Sequence, residues 1–194
     1  PRNRGALRQP GLLNGLSSNA LSMRVCLLVD QILQINSSIS EIEKKINFSF
    51  ARHEMAPIFS SLPGAGERLA PKMLSIFGDN RQRFDSYQTV QCYAGTAPVT
   101  EQSGKSFFSV KMRRACNKNF KDTIFQFAFC SLSQEPWAQQ YYQELKKKGK
   151  SHSKAVRAIG NKWVKIIFRM WKDGTEYNRN IFINKRENFS TVFA

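Results

Sequence analysis

Leu21-Ser-Met-Arg-Val-Cys-Leu-Leu-Val-Asp-Gln-Ile-Leu-Gln-Ile-Asn-Ser-Ser-Ile-Ser-Glu-Ile-Glu-Lys-Lys-Ile46 places apolar side chains at Leu21, Val25, Leu28, Ile32, Ile35, Ile39, Ile42 and Ile46, in steps that alternate between four and three residues. A helix of about 3.6 residues per turn gathers such steps onto one face, whereas a strand, with a period of two, would scatter them. Isoleucine dominates the second half of the seam, and Glu41, Glu43, Lys44 and Lys45 flank it with charge. The pattern predicts a long coiled-coil helix over residues 19–50. A self-associating arm is favoured over an amphipathic helix lying along its own domain.

Outward from this seam the chain divides in two. Residues 1–18 are rich in Gly, Pro, Asn, Ser and Arg without a sustained period, which predicts a flexible arm. Pro1 stands where an initiator methionine is expected, so the sequence reads as a fragment, a degenerate copy or part of a split reading frame. Residues 51–176 carry the periodic segments of a compact helical domain, and 177–194 form a basic tail. The fold class expected is mainly α, with at most a small β-hairpin.

Composition restricts the partners. Lys and Arg number 30 against 14 Asp and Glu, giving a net charge of +16, and 41% of residues are apolar, enough for a folded core. Such a balance points to a polyanion, above all nucleic acid. No apolar run approaches the ~20 residues that cross a bilayer, so no membrane partner is expected. A soluble, cytoplasmic protein is the reading. Cys26, Cys92, Cys116 and Cys130 are scattered, with no Cys-x-x-Cys pair, and read as reduced thiols. His53 and His152 stand apart from any ligand-spaced partner and read as surface or packing residues. No metal site is expected on this chain.

Ser61-Leu-Pro-Gly-Ala-Gly-Glu-Arg-Leu-Ala-Pro-Lys-Met-Leu-Ser-Ile-Phe77 has the spacing of a helix-hairpin-helix turn. Gly64 and Gly66 would let backbone amides approach a phosphate, with Arg68 and Lys72 on the following helix; a purely structural αα-turn is the alternative. Pro71 is tolerable only in the first turn of that helix, and otherwise a kink. Asp85-Ser86 reads as an N-cap for a brief helix carrying Tyr87, Val90 and Tyr93. A small-residue turn then presents Ser103 beside Lys105, and Phe107 to Met112 alternates weakly like a strand. Lys111, Arg113, Arg114 and Lys118 form a basic cluster, with Asn117 placed to cap the next helix. That helix carries Phe120, Ile124, Phe127, Phe129 and Leu132 as its core face. Two more follow, from Pro136 to Lys148 with Trp137, Tyr141, Tyr142 and Leu145 inward, and from about Ser153 to Gly174.

Leu62-Pro-Gly-Ala-Gly-Glu-Arg-Leu-Ala-Pro71, Phe77-Gly-Asp79, Tyr93-Ala-Gly-Thr-Ala-Pro-Val-Thr100, Gln102-Ser-Gly-Lys105, Arg114-Ala-Cys-Asn-Lys118, Trp137-Ala-Gln-Gln-Tyr-Tyr142 and Gly149-Lys-Ser-His152 occur in one order along the chain. Together they resemble the C-terminal half of the insertion-sequence-110 transposase group, related to Piv-type DNA invertases. The resemblance implies a DNA recombinase in which a RuvC-like domain with four acidic residues binds magnesium, a coiled coil follows, and a helical domain supplies a serine nucleophile. On this chain the matching serine is Ser103, holding a DNA strand as a phosphoserine. A structured guide RNA is a further implied partner, and a prokaryotic, nucleoid-associated location follows. Lys105, Arg113, Arg114, Lys118 and Lys121 would neutralise phosphate charge.

This chain departs from that pattern at Phe120-Lys121, where the family tends to carry Leu-Arg, so the forked phosphate donor is replaced by a point charge. Nothing before the coiled coil resembles an acid-bearing strand. The magnesium implied for the longer enzyme therefore has no ligands here, and the chain alone is expected to be incomplete as a catalyst. A non-catalytic, dimerising DNA- or RNA-binding remnant is the alternative. A structural protein of the ribosome type would give no reason for the ordered motifs and the seam.

Overall fold

One helix, α1 (Pro10–Ala51), carries the whole heptad seam. In the computed structural model, which describes residues 10–103 and 107–180, this helix begins inside the stretch expected to be a loose arm. Pro10 suits a first helical position, where its missing amide would have had no acceptor, and Leu12, Leu13 and Leu16 are good helix formers. Along the seam every apolar residue from Leu21 to Ile46 is between 44% and 59% exposed, so the stripe is an uncovered surface. The chain separates into two compact units, Pro1–Ile46 and Asn47–Ala194.

Among its described residues the second unit packs six helices and a hairpin: α2 (Ala56–Ser60), α3 (Gly66–Phe77), α4 (Tyr87–Tyr93), β1 (Pro98–Ser103), β2 (Phe107–Met112), α5 (Lys118–Gln134), α6 (Pro136–Lys147) and α7 (His152–Asp173). Mainly α with one small antiparallel sheet is the observed class, as expected. Helix α7 packs on α4, α5 and α6, while α5 also meets α3. Gly160 lets α7 approach α5 closely, because a Cβ there would lie 3.0 Å from the Ile124 Cγ2 of α5.

Aromatic rings fill the centre. Phe77, fully buried, has its ring centroid within 5.5–6.1 Å of those of Trp171, Phe120, Phe59 and Phe84. Truncating such a ring to alanine costs about 3–5 kcal/mol. A second cluster sets Trp163 at 4.9 Å from Trp137 and 5.0 Å from Phe127, and Trp163 Nε1 donates to the buried Ser131 Oγ at 2.8 Å. At the end of α7, Gly174 takes a left-handed φ of 70° and Trp171 Nε1 donates to the Gly78 carbonyl at 2.8 Å, tying this terminus to the end of α3.

Three expectations change. Pro71 lies inside α3 rather than in its first turn, buried in the core, and the helix continues to Phe77. The stretch around Ser103 is a strand, not a turn: Val99 and Thr100 are β-branched and β1 pairs with β2 in register from Pro98 opposite Met112 to Ser103 opposite Phe107. Phe129 is 53% exposed, whereas Phe120, Ile124 and Phe127 are fully buried. Two residues beyond Phe127 at about 100° per residue is a rotation of about 200°, which turns Phe129 away from the core. The histidines have packing parts: His53 Nε2 sits 3.0 Å from Asp79, and His152 contacts the rings of Phe129 and Tyr142. All four cysteines are free thiols.

Candidate active site and nucleic-acid interface

The hairpin that carries Ser103 is anchored at its root. Ser86 caps α4 by accepting from the Thr89 amide, and the helix ends at Tyr93 so that Gly95 turns the chain with a φ of 67°. Immediately after, the amides of Thr96 and Ala97 both donate to the Gln91 carbonyl, at 3.0 and 3.2 Å. The buried Thr96 hydroxyl donates to Asn161 Oδ1 at 2.9 Å, and Gln91 Nε2 donates to the Asn161 carbonyl at 2.8 Å. Asn161 on α7 thus clasps the segment from which β1 departs. No spacing in the sequence marks Asn161, which lies among the alternating charges of α7; Thr96 stands within the Tyr93–Thr100 motif.

The other hairpin leg returns to the same place. Asn117 accepts from the Phe120 amide at 2.9 Å and so caps α5, and it bonds Tyr93 through backbone and side chain. A Cβ on Gly95 would lie 2.6 Å from Cys116 Sγ, so glycine is required where the segments flanking the hairpin meet. Lys111 and Glu101 pair across the strands at 2.5 Å.

Ser103 is exposed at the far end of β1. Five strand steps at about 3.3 Å each put it about 17 Å from Pro98 and from the opposite Met112. Arg113 and Arg114 follow Met112, so the basic cluster stands at the root while the serine stands at the tip. Pairing separates what sequence order placed close together. Lys105, expected beside the serine, lies outside the described residues.

At the root, Arg114 and Lys118 are exposed and Arg113 and Lys121 half-buried. The Arg113 Nε atom is buried with no hydrogen-bond partner among the described residues. Lys121 Cδ would be 3.6 Å from a Gly95 Cβ, so its stem packs beside the turn. The helix-hairpin-helix-like turn lies elsewhere. Gly64, with a φ of 81°, presses on the backbone of Cys130, whose carbonyl carbon would be 3.2 Å from an added Cβ, so this position has a packing reason for glycine. Gly66, with a φ of 54°, has open space beside it, and Arg68 and Lys72 are exposed one helical turn apart on α3. From Lys118 to Cys130, twelve residues at about 1.5 Å each, α5 spans about 18 Å, so this turn and the root cluster are separate basic regions.

Among the described residues no three His, Cys, Asp or Glu side chains gather where they could hold a metal ion. No helix among them is long and apolar enough to cross a membrane.

Comparison with known proteins places this architecture. The chain is similar to a 43.6 kDa protein of insertion element IS110 from Streptomyces coelicolor, with 29% identity over 160 residues, covering 82% of this chain and 39% of that protein. It is similar to a 42 kDa protein of insertion element IS900 from Mycobacterium paratuberculosis, at 27% identity over 79% of this chain and 39% of that protein. A pilin gene-inverting protein of Moraxella lacunata is 25% identical over 78% of this chain and 47% of its own length. The chain therefore spans less than half the length of these relatives. The segment from α2 into α6, residues 56–143, matches the transposase IS116/IS110/IS902 family and contains the Gly64–Gly66 turn, the Ser103 hairpin and the root cluster. Over residues 56–143, and through relatives 25–29% identical to it, the chain is similar to the transposase IS116/IS110/IS902 family.

Proposed function

We propose that this chain is the DNA-holding and nucleophile-bearing part of an insertion-sequence transposase, with Ser103 as the attacking group. The observation that carries the reading is the exposure of Ser103 at the tip of a hairpin whose root is fixed by hydrogen bonds from two helices. A projecting hydroxyl can enter a DNA groove that a buried one cannot. Its Oγ forms a bond to phosphorus as the bond from phosphorus to one sugar oxygen breaks. The Oγ proton leaves to a base, and the departing sugar oxygen takes one up as a free hydroxyl. One phosphodiester replaces another, so attack by the hydroxyl of an exchanged strand reverses the step and reseals DNA.

Arg113, Arg114, Lys118 and Lys121 at the root, and Gly66, Arg68 and Lys72 on α3, contact the phosphate backbone without reading sequence. Magnesium, if held by residues of the longer protein, would supply charge neutralisation at the reacting phosphate. A structured RNA guides the choice of strands, and the α1 seam pairs chains, because an uncovered stripe of eight large aliphatic residues gains about 1.5–3 kcal/mol for each one fully buried. The site of action is the DNA of a prokaryotic cell.

The test uses this chain extended through its natural coding sequence to the length of its relatives, with labelled element-end DNA and magnesium. A covalent DNA–protein adduct is expected, resistant to denaturant and absent after Ser103→Ala. An undiminished adduct in the alanine variant sinks the assignment. The exposed seam also favours a second reading, a dimerising nucleic-acid-binding protein without chemistry, which gives salt-sensitive binding and no adduct in the extended wild type.

A further inference from the structure

We infer that the turn joining α6 to α7, together with the exposed ring of Phe129, is a docking surface for a nucleic-acid strand with unpaired bases. The inference rests on the chain being a nucleic-acid-binding protein, and assigns a face of it that lies apart from the serine hairpin.

Lys146, Lys147, Lys148 and Lys150 are exposed at this turn. They are held in a defined conformation. The Lys148 amide donates to the Glu144 carbonyl at 3.1 Å, Gly149 to Lys146 at 2.9 Å and Lys150 to Leu145 at 3.0 Å, with Gly149 at a φ of 73°. Glycine is needed there for its conformation only, because nothing lies within 4 Å of the space a Cβ would fill. The turn is therefore open on the side where a ligand would approach.

Three rings stand beside it. His152, the first residue of α7, has its ring centroid 5.8 Å from that of Phe129 and 5.8 Å from that of Tyr142, both edge-on, and the Tyr142 hydroxyl and His152 Nδ1 are hydrogen-bonded at 2.9 Å. A single exposed phenylalanine is ordinary on a protein surface. One braced by a histidine that a tyrosine holds in turn, at the edge of a four-lysine turn, is a preformed stacking platform. Lysines that follow a backbone and a ring on which a base can lie are the two parts by which proteins hold single strands.

Charge and shape select this partner. The acids along these segments are Asp122, two turns earlier on α5, Glu144 on α6, and Glu135, which is 1% exposed and paired with Arg179. The lysines therefore outweigh the exposed acids and favour a polyanion. A duplex keeps the faces of its bases covered, so it would use the lysines and leave the ring idle. The Gly64 turn abuts Cys130, the residue after Phe129, so the turn that precedes Arg68 and Lys72 reaches the same stretch of α5.

Fluorescence anisotropy with the 194-residue chain tests this, using a labelled oligothymidylate of about 20 nucleotides, a duplex of equal length and an abasic strand of equal length. Phe129→Ala and Phe129→Leu are expected to weaken oligothymidylate binding about tenfold and leave duplex and abasic binding within about twofold, while Phe129→Trp keeps wild-type affinity. Lys148→Gln with Lys150→Gln should weaken all three and flatten the single-strand slope of log affinity against log salt by about 1.4. The inference is overturned if Phe129→Leu binds oligothymidylate like wild type, or loses all three ligands equally. Wild-type chain that binds none of them overturns the nucleic-acid reading as well, whereas binding indifferent to Phe129 removes this face alone.

Discussion

Asn117 holds Tyr93 by two hydrogen bonds: its backbone amide donates to the Tyr93 carbonyl at 2.9 Å and its Nδ2 donates to the Tyr93 hydroxyl at 2.7 Å. The same side chain caps α5 through Oδ1. Asn117→Ala should therefore cost about 2 kcal/mol, one part from the cap and one from the phenol bond. Tyr93→Phe should cost about 1 kcal/mol, and the double variant little more than Asn117→Ala. Urea midpoints at unchanged slope give these values. Full additivity would mean that the two side chains do not share an interaction.

Gly95 cannot be replaced without moving its neighbour. An alanine there would meet Cys116 Sγ at 2.6 Å and would also have to accept a φ of 67°. Gly95→Ala is expected to cost more than about 2 kcal/mol, with the backbone contributing about 1–2 of it. Adding Cys116→Ala should restore part of the loss, because the sulfur clash goes and the backbone strain stays. A thermal melt of the pair decides; no recovery would place the clash elsewhere.

On α3, Arg68 and Lys72 are exposed one turn apart beyond the open Gly66. If they neutralise phosphates, Arg68→Gln with Lys72→Gln lowers the slope of log affinity against log salt on duplex DNA by about 1.8. Stability should move by less than about 0.5 kcal/mol, as for other exposed sites. An unchanged slope would leave the α3 turn as a structural element.

Much of this architecture was legible because it is local. The alternating steps of α1, the Ser86 and Asn117 caps and the Gly174 stop each depend on side chains within a few residues, and the structure has them where sequence placed them. Other features depend on which element lies opposite. Gly64 is legible as a turn glycine, but nothing in its own segment announces the backbone of Cys130 that its missing Cβ admits. Ser103 and Arg113 looked adjacent because the intervening strands were read as a turn and one leg, and antiparallel pairing then sends them to opposite ends. Phe129 was within reach of helical geometry alone, since its rotation from Phe127 turns it outward; its neighbours His152 and Tyr142 were not.

Tyr177 links stability to alkaline pH. Burial pushes its phenol up to about 12; the hydrogen bond from Trp137 Nε1 pulls the other way, and the Glu135 carboxylate adds to the rise. The unfolded chain loses this proton near pH 10 and the folded chain near 12. Below pH 10 the stabilisation is complete, and it fades as pH rises through the window to 12, because the unfolded state then binds fewer protons. Tyr177→Phe should lack that part of the alkaline decline. Denaturation curves of both proteins across the window measure it, and parallel pH dependences would contradict the assignment.

Asn161 ties the serine hairpin to the longest helix of its unit, and its effect on chemistry can be separated from its effect on folding. Thr96 is only 7% exposed and its hydroxyl donates to Asn161 Oδ1, so Asn161→Ala leaves that donor with only the longer 3.3 Å contact to the Gln91 carbonyl. That should cost about 1–2 kcal/mol, while Asn161→Asp, which keeps the acceptor, should cost less. Because Ser103 stands about 17 Å out along the strands, a small rotation at the root becomes a displacement of an ångström or more at the tip. Misplacing a reacting atom by about 1 Å can cost on the order of a hundredfold in rate. In the extended protein, Asn161→Ala should therefore lower the rate of adduct formation by at least about tenfold while DNA affinity stays within about twofold, and Asn161→Asp should recover most of the rate. Affinity and rate falling together would show that the clasp supports the fold in general and does not aim the serine.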